Sequence, residues 1–300
     1  MDRPLATVFG GTGFLGSRIV RQLVTLGSGV RIAARRPRRP DWATDSQAVE
    51  LVTTDIRDER DVARAVAGVD SVVNAVSLYV PSRRHGSFED IHVHGAARIA
   101  RAARAARVER LVHVSGLGVN HDSPSAYVRA RMHGEDATRK AFRRVVVVRP
   151  SVLFGADDAF LGSLAGVTRL PVVPLFGRGD VRLQPVLVDD VARAIVRLLG
   201  GGGGNHRVFE LGGAEVYSYR EIVTLVLGTL GRRRPLMPVP FPVWHALAMV
   251  LGVLPNPPLT VDQVRLMQKD NVVAGNFGRF EHLGIEPKSL AESLAELLRG

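Results

Sequence analysis

Three glycines at intervals of three, Gly10, Gly13 and Gly16, stand in the segment Val8-Phe9-Gly10-Gly11-Thr12-Gly13-Phe14-Leu15-Gly16, between an apolar run and an amphipathic one. That spacing suits a pyrophosphate. Gly10 permits a tight turn after a strand, Gly13 lets the backbone approach the phosphates, and Gly16 lets the next helix pack close to the sheet. The helix start, with Thr12, Phe14 and Leu15 around Gly13, offers unsatisfied N–H groups and partial positive charge to an anion. The plain alternative is a turn that only reverses the chain. A second signal follows at Ala33-Ala34-Arg35-Arg36, where a strand ends with no acidic residue before Asp41. A carboxylate there would hold the ribose hydroxyls of NAD, whereas a guanidinium fork matches the 2′-phosphate of NADP. Arg35, with Arg36 second, therefore predicts NADP(H) in preference to NAD(H). The alternative is a pair of solvated surface arginines.

The elements that must position these residues are legible as an alternation. Strands are expected at Ala6–Phe9, Val30–Ala33, Glu50–Thr53, Ser71–Ala75, Leu111–Val114 and Val145–Arg149, with helices at Phe14–Leu26, Glu59–Val66, Gly95–Ala106 and Tyr127–Ala141. Repeated βαβ units predict an α/β fold, a Rossmann-type doubly wound parallel sheet, over residues 1–155. Residues 156–300 read as a smaller, largely helical C-terminal region, interleaved with the sheet edge and serving a substrate or partner. It holds a strand at Val208–Leu211 and capping-box starts at Ser218 with Glu221, Thr260 with Gln263, and Ser289 with Glu292.

Composition bounds the function. The 300 residues are 46% hydrophobic and 23% charged, as in an ordinary globular protein, and contain no cysteine, which excludes disulfides, thiolate zinc sites and cysteine nucleophiles. The net charge of +11 invites a nucleic-acid reading, but of 40 basic residues only Lys140, Lys269 and Lys288 are lysine. An arginine skew of that kind dilutes the meaning of each arginine, and no zinc-finger spacing or RNA-binding aromatic strand accompanies it, so no nucleic-acid partner is expected. Met1 leads straight into a charged pair and a strand, and the longest apolar stretch, Val243–Leu254, is too short to cross a bilayer. We expect a cytoplasmic protein without a transmembrane span, or one peripheral at the inner face of a membrane.

With these motifs in place, the chain from about Leu5 to Leu298 resembles the extended and atypical short-chain dehydrogenase/reductases, NAD-dependent epimerases and dehydratases among them. The segments Val8–Gly16, Val30–Pro37, Leu111–Gly118, Arg149–Gly155, Gln184–Val191, Glu210–Gly213 and Asp270–Val273 look like bacterial relatives of the nucleotide-binding accessory subunit of respiratory complex I. The resemblance implies further cofactor contacts. Asp55 and Ile56 would meet the adenine, Asn74, Ala75 and Val76 would run along the dinucleotide, and Pro150 and Val152 would lie near the nicotinamide. Without the family, Asp55 reads as a loop cap and Val76 as core.

Active members of that family carry a tyrosine and, four residues on, a lysine, which places both on one helix face. The lysine holds the nicotinamide ribose and lowers the tyrosine pKa for proton exchange. Here the pair is Tyr127 and Arg131. Arginine keeps the charge but not the compact ammonium geometry. Ser115 is the candidate third member, followed by Gly116 where active enzymes often repeat a serine. The histidines His85, His92, His94, His113, His121 and His133 show no metal-ligand spacing and read as surface or partly buried polar residues, so no metal is expected.

Two functions follow. One is an NAD(P)(H)-binding structural or redox-reporting protein related to respiratory complex I, with weakened or absent turnover. The other is an active oxidoreductase or epimerase/dehydratase on a small-molecule substrate, with Tyr127 as acid/base. Arg232–Arg234 and the apolar stretch at Trp244 suit docking on a membrane protein or anionic lipid, but read more simply as a basic loop before an ordinary core helix.

Overall fold

Strands form where β-branched residues run without polar interruption, because a strand covered on both faces needs no polar side. The computed structural model describes residues 3–43, 48–82, 84–254 and 257–299. Six strands lead the chain: β1 (Leu5–Phe9), β2 (Gly29–Ala34), β3 (Val49–Thr53), β4 (Ser71–Asn74), β5 (Arg110–Val114) and β6 (Val146–Pro150). Interspersed are the helices α1 (Phe14–Thr25), α2 (Glu59–Val66), α3 (Ala96–Ala105) and α4 (Ala126–Ala141). There follow β7 (Leu153–Phe154), α5 (Ala159–Val167), β8 (Val173–Phe176), β9 (Arg182–Leu183), β10 (Val186–Leu187), α6 (Val188–Leu199) and β11 (Val208–Leu211). The chain closes with β12 (Tyr217–Ser218), α7 (Tyr219–Thr229), β13 (Leu236–Val239), α8 (Phe241–Leu251), α9 (Val261–Leu266) and α10 (Leu290–Arg299).

One seven-stranded sheet, wholly parallel, takes the order β11-β6-β5-β4-β1-β2-β3. Strand order reverses between β1 and β4, the switch point at which ligands bind in doubly wound sheets. Ile19 and Leu23 of α1 pack with Val191 and Ile195 of α6 over one face of the sheet. Val62 of α2 and Ile99 and Ala103 of α3 cover the other. A third core, around Leu164, Leu175, Ile222, Val226 and Leu290, joins α5, β8, α7 and α10.

Three local features stand out. The helix expected from Gly95 begins at Ala96, after a π-helical turn over Glu89–Gly95. That turn is held close by glycines: a Cβ on Gly134 of α4 would lie 2.0 Å from the His92 carbonyl oxygen, and one on Gly95 2.5 Å from Ile56 Cδ1. The second concerns capping: the boxes at Ser218 and Thr260 form as expected, and α10 starts directly after Ser289. The third is a correction. The stretch at Trp244 is not an ordinary core helix, since α8 buries only Ala248, while Val250 is 69% exposed and Val253 beyond it 85%. β13 pairs only with β8 and delivers α8 to the outside of the smaller region, where it meets α9.

Candidate functional site

A cavity of about 1690 Å³ opens at the carboxyl ends of the sheet strands. Of the residues singled out in the sequence, Gly10, Thr12, Gly13, Phe14, Leu15, Arg35, Arg36, Asp55, Ile56, Ala75, Val76, Ser115, Tyr127, Arg131, Pro150 and Val152 line it. Gly16 and Asn74 stand behind the wall. Asn74 closes β4, its Oδ1 accepting from the Val76 N–H at 3.2 Å.

The glycine turn divides its work by position. Gly10 has φ +77°, and a Cβ there would lie 2.9 Å from the Ala75 carbonyl oxygen, so β1 and β4 end in close approach. At Gly16 a Cβ would fall 2.1 Å from the Gly10 oxygen, which is the tight packing of α1 on the turn. Gly13 differs from both. Its Cβ would meet only the Gly10 oxygen at 3.2 Å, and it is exposed to the cavity at the N-cap of α1. No side chain caps that end, and no acidic residue stands in the first turn. The uncapped first turn beside a side-chain-sized opening fits a pyrophosphate.

Arg35 and Arg36 emerge exposed from the end of β2. Asp55, beyond β3, turns its carboxylate to Arg57, whose Nε donates to Oδ1 at 3.0 Å and whose terminal nitrogen donates to Oδ2 at 2.6 Å. The Arg57 N–H also donates to Asp55 Oδ1, so Asp55 caps its loop while lining the cavity. Hydrogen bonding to Arg57 holds its carboxyl below the usual range, against the opposing effect of burial.

Elsewhere in the cavity wall, Arg131 is 5% exposed and donates to Ser77 Oγ at 3.0 Å and to the Val114 carbonyl oxygen at 3.0 Å. Among the described residues neither its Nε nor the buried Ser115 Oγ makes a hydrogen bond of good geometry, although the Ser115 hydroxyl interacts with the Glu135 carboxylate. Unpaired buried polar atoms in a cavity wall mark groups that a ligand completes. The Gly116 position explains the first: a Cβ there would sit 3.6 Å from Arg131 Nε, so a serine would have reached it. Tyr127 packs among Tyr79, Phe88 and His92, with ring centroids 5.4, 5.6 and 5.5 Å away, and Arg131 Cζ lies 5.4 Å from its ring. Burial pushes the Tyr127 phenol above its ordinary pKa, and Arg131 opposes this without reversing it.

Residues 6–212 match the NAD dependent epimerase/dehydratase family. The chain belongs to that family. This epimerase/dehydratase family member is 32% identical over 310 residues to NADH dehydrogenase (ubiquinone) 1 alpha subcomplex subunit 9, mitochondrial, of Arabidopsis thaliana, covering 98% of this chain and 77% of that one. It is also 32% identical over 291 residues to the NADH-ubiquinone oxidoreductase 40 kDa subunit, mitochondrial, of Neurospora crassa, covering 95% and 76%. In fold it is similar to a dTDP-glucose 4,6-dehydratase from Streptomyces venezuelae solved with NAD bound, at TM-score 0.73 and 23% identity over 98% of this chain and 95% of that one.

The family member's site also holds residues that sequence reasoning passed over. Two of the histidines, expected at the surface or partly buried, are buried: His92 is 5% exposed, against the Tyr127 ring, and His113 6%, against Asn74. Burial, then the Arg131 charge, lowers them to about 3 and about 4, so both are neutral at pH 7. Asn271 clamps the C-terminal segment onto the cavity, its Oδ1 accepting from Ser151 Oγ at 2.6 Å and from the Val152 N–H at 3.1 Å. The Asp270–Val273 motif was its signal. On α4, buried Glu135 accepts from Arg149 at 2.8 Å through both oxygens, and Arg149 also reaches Glu210 at 3.3 Å. Burial alone would raise the Glu135 carboxyl; the hydrogen bonds and charge of Arg149, with Ser115 and Arg139, together outweigh it and hold it below the ordinary value.

Proposed function

We propose that this epimerase/dehydratase family member binds NADP(H) and uses it in a structural or redox-reporting role at a membrane-bound respiratory complex, with turnover weakened or lost. The observation that carries the reading is Arg131. Where active members place an ammonium that lowers the tyrosine pKa, this chain has a guanidinium fastened to the wall by Ser77 and Val114, beside a phenol that burial raises. Residues 1–155 would hold the dinucleotide, with the first turn of α1 on the pyrophosphate, Asp55 and Ile56 at the adenine, Arg131 at the nicotinamide ribose, and Pro150 and Val152 at the nicotinamide. Residues 156–300 would face a substrate or partner. When bound, the cofactor supplies hydride; what the chain contributes is position and charge. The names of the Arabidopsis and Neurospora relatives support the respiratory partner. No helix among the described residues is long and apolar enough to cross a membrane, which suits a peripheral attachment.

Two measurements test this. With NADPH bound, stopped-flow absorbance against aldehydes, quinones and nucleotide sugars is expected to show little hydride transfer. The buried Ser115 hydroxyl in the wall of the same cavity favours the second reading, an active oxidoreductase or epimerase/dehydratase. Rapid oxidation by the wild type that disappears in Tyr127→Phe would install that reading instead. For the cofactor, Arg35→Ala is expected to weaken NADPH by roughly 10- to 150-fold, the worth of one charge-assisted contact, and to leave NADH unchanged. Equal affinities for the two cofactors by fluorescence titration, indifferent to Arg35, would remove the 2′-phosphate assignment.

A further inference from the structure

The cavity is larger than one dinucleotide needs. A pocket for a cofactor or small molecule usually encloses about 300–1,000 Å³, against about 1690 Å³ here. Part of its wall comes not from the sheet but from the smaller region: Phe160 and Leu164 of α5, Phe176 of β8, and Trp244, Leu247 and Leu251 of α8. These six side chains offer a ligand almost nothing polar. The one N–H among them, the Trp244 indole, already donates to the Leu175 carbonyl oxygen at 3.0 Å, and the ring lies 4.4 Å from that of Phe176. Ser163, Tyr219 and Gln263 of the smaller region line the same cavity, but against these six apolar side chains a hydrocarbon chain would lose only unfavourable hydration.

The helix that walls the arm is apolar on its other side as well. Phe241–Leu251 contains no charged residue, and Val243, Met249 and Val250 stand 54%, 63% and 69% exposed. Of the 17 exposed large hydrophobic residues in the described chain, ten lie at 170–172 or 237–266, so the exposure is concentrated around β8, β13, α8 and α9 rather than scattered. Arg233 and Arg234, exposed just before β13, bring positive charge to the end of that ribbon. Exposed apolar side chains with exposed arginines in the same region suit an anionic lipid surface.

We propose that this arm holds the hydrocarbon tail of an amphiphile, with α8 seated on the bilayer that supplies it. The head then lies toward Tyr127 and the orphaned Arg131 Nε. That placement of the head rests on the dinucleotide reading above; the tail site does not.

The chain has two tryptophans, so Trp42→Phe leaves Trp244 as the sole reporter inside the arm. Dibrominated stearate is expected to quench it saturably, with ordinary stearate competing. Leu247 is 42% exposed, so Leu247→Glu should be tolerated by the fold; it is expected to weaken quenching about tenfold or more by placing a charge in the arm, with NADPH affinity unchanged. Protein that binds NADPH but shows no saturable quenching, or quenching indifferent to Leu247→Glu, would overturn the tail site. Quenching without NADPH binding would leave the tail site standing and defeat the dinucleotide reading instead. Vesicles of brominated-chain phosphatidylcholine, with and without phosphatidylglycerol, decide the source. Quenching that needs the anionic lipid and is lost in Val250→Glu with Val253→Glu supports the bilayer; quenching by soluble stearate alone overturns the seating of α8.

Discussion

Gly13→Val is expected to lower dinucleotide affinity by about 100-fold or more, the loss of two charge-assisted backbone contacts to the pyrophosphate, in a chain that still folds. The three glycines of the turn are not equivalent, and this is why the experiment is clean at only one of them. A side chain at Gly16 would collide with the Gly10 oxygen at 2.1 Å, and one at Gly10 would be strained at φ +77° and pressed on Ala75. Either change damages the fold and the site together. Gly13 has φ −82° and ψ 174°, a backbone conformation open to valine, and its missing side chain points into the cavity with only the Gly10 oxygen near. Calorimetric titration with NADPH, alongside urea denaturation, checks the two halves of the claim. Retained affinity would mean that the cofactor does not approach this turn, and a collapsed denaturation midpoint would mean that the turn is structural first.

What the sequence made legible follows from how local each signal is. Buried parallel strands are continuous apolar runs, and β1 to β6 could be read within a residue or two of their ends. The glycine turn carries its own context of strand and helix. The residues that complete the site have no such local mark. Asn271 reaches Ser151 and Val152 across 120 and 119 positions, and Arg149 meets Glu210 across 61. The two buried histidines look in sequence like their exposed neighbours, because a single polar residue in a mixed segment says nothing about which side of the chain will face the core. For α8 the difficulty is the reverse: an uncharged apolar run has no polar face to betray its orientation. Its placement outside the core is decided by β13, which pairs with β8 rather than with the main sheet. Exposure there is a tertiary fact.

Those histidines give the second large effect: the folded state is expected to lose about 4 kcal/mol of stability between pH 7 and pH 5 by proton linkage alone. His92 and His113 are held neutral, at about 3 and about 4, first by burial and then by the charge of Arg131. In the unfolded chain both titrate near 6.5. Below that value the unfolded state therefore binds protons that the folded state refuses, so stability is complete above about 6.5 and falls as the pH drops toward the folded pKa values, by up to about 1.4 kcal/mol per unit for each histidine. Geometry argues the same way. Asn74 Nδ2 faces His113 Nδ1 at 3.2 Å, and an amide that donates to that nitrogen loses its acceptor if the ring is protonated. Asp158 and Asp190 are raised by burial, so their protonation favours the folded state and opposes this fall. Urea denaturation at half-unit steps from pH 7.5 to 5 measures the slope, and His113→Gln should remove about half of it whatever it does to the stability at pH 7. A denaturation midpoint that stays level across the window would show that both rings accept protons in the folded state, and that Arg131 is not the buried cation beside them. A steep fall would instead tie the acid limit of the protein to these two buried rings, which Arg131 helps to keep neutral.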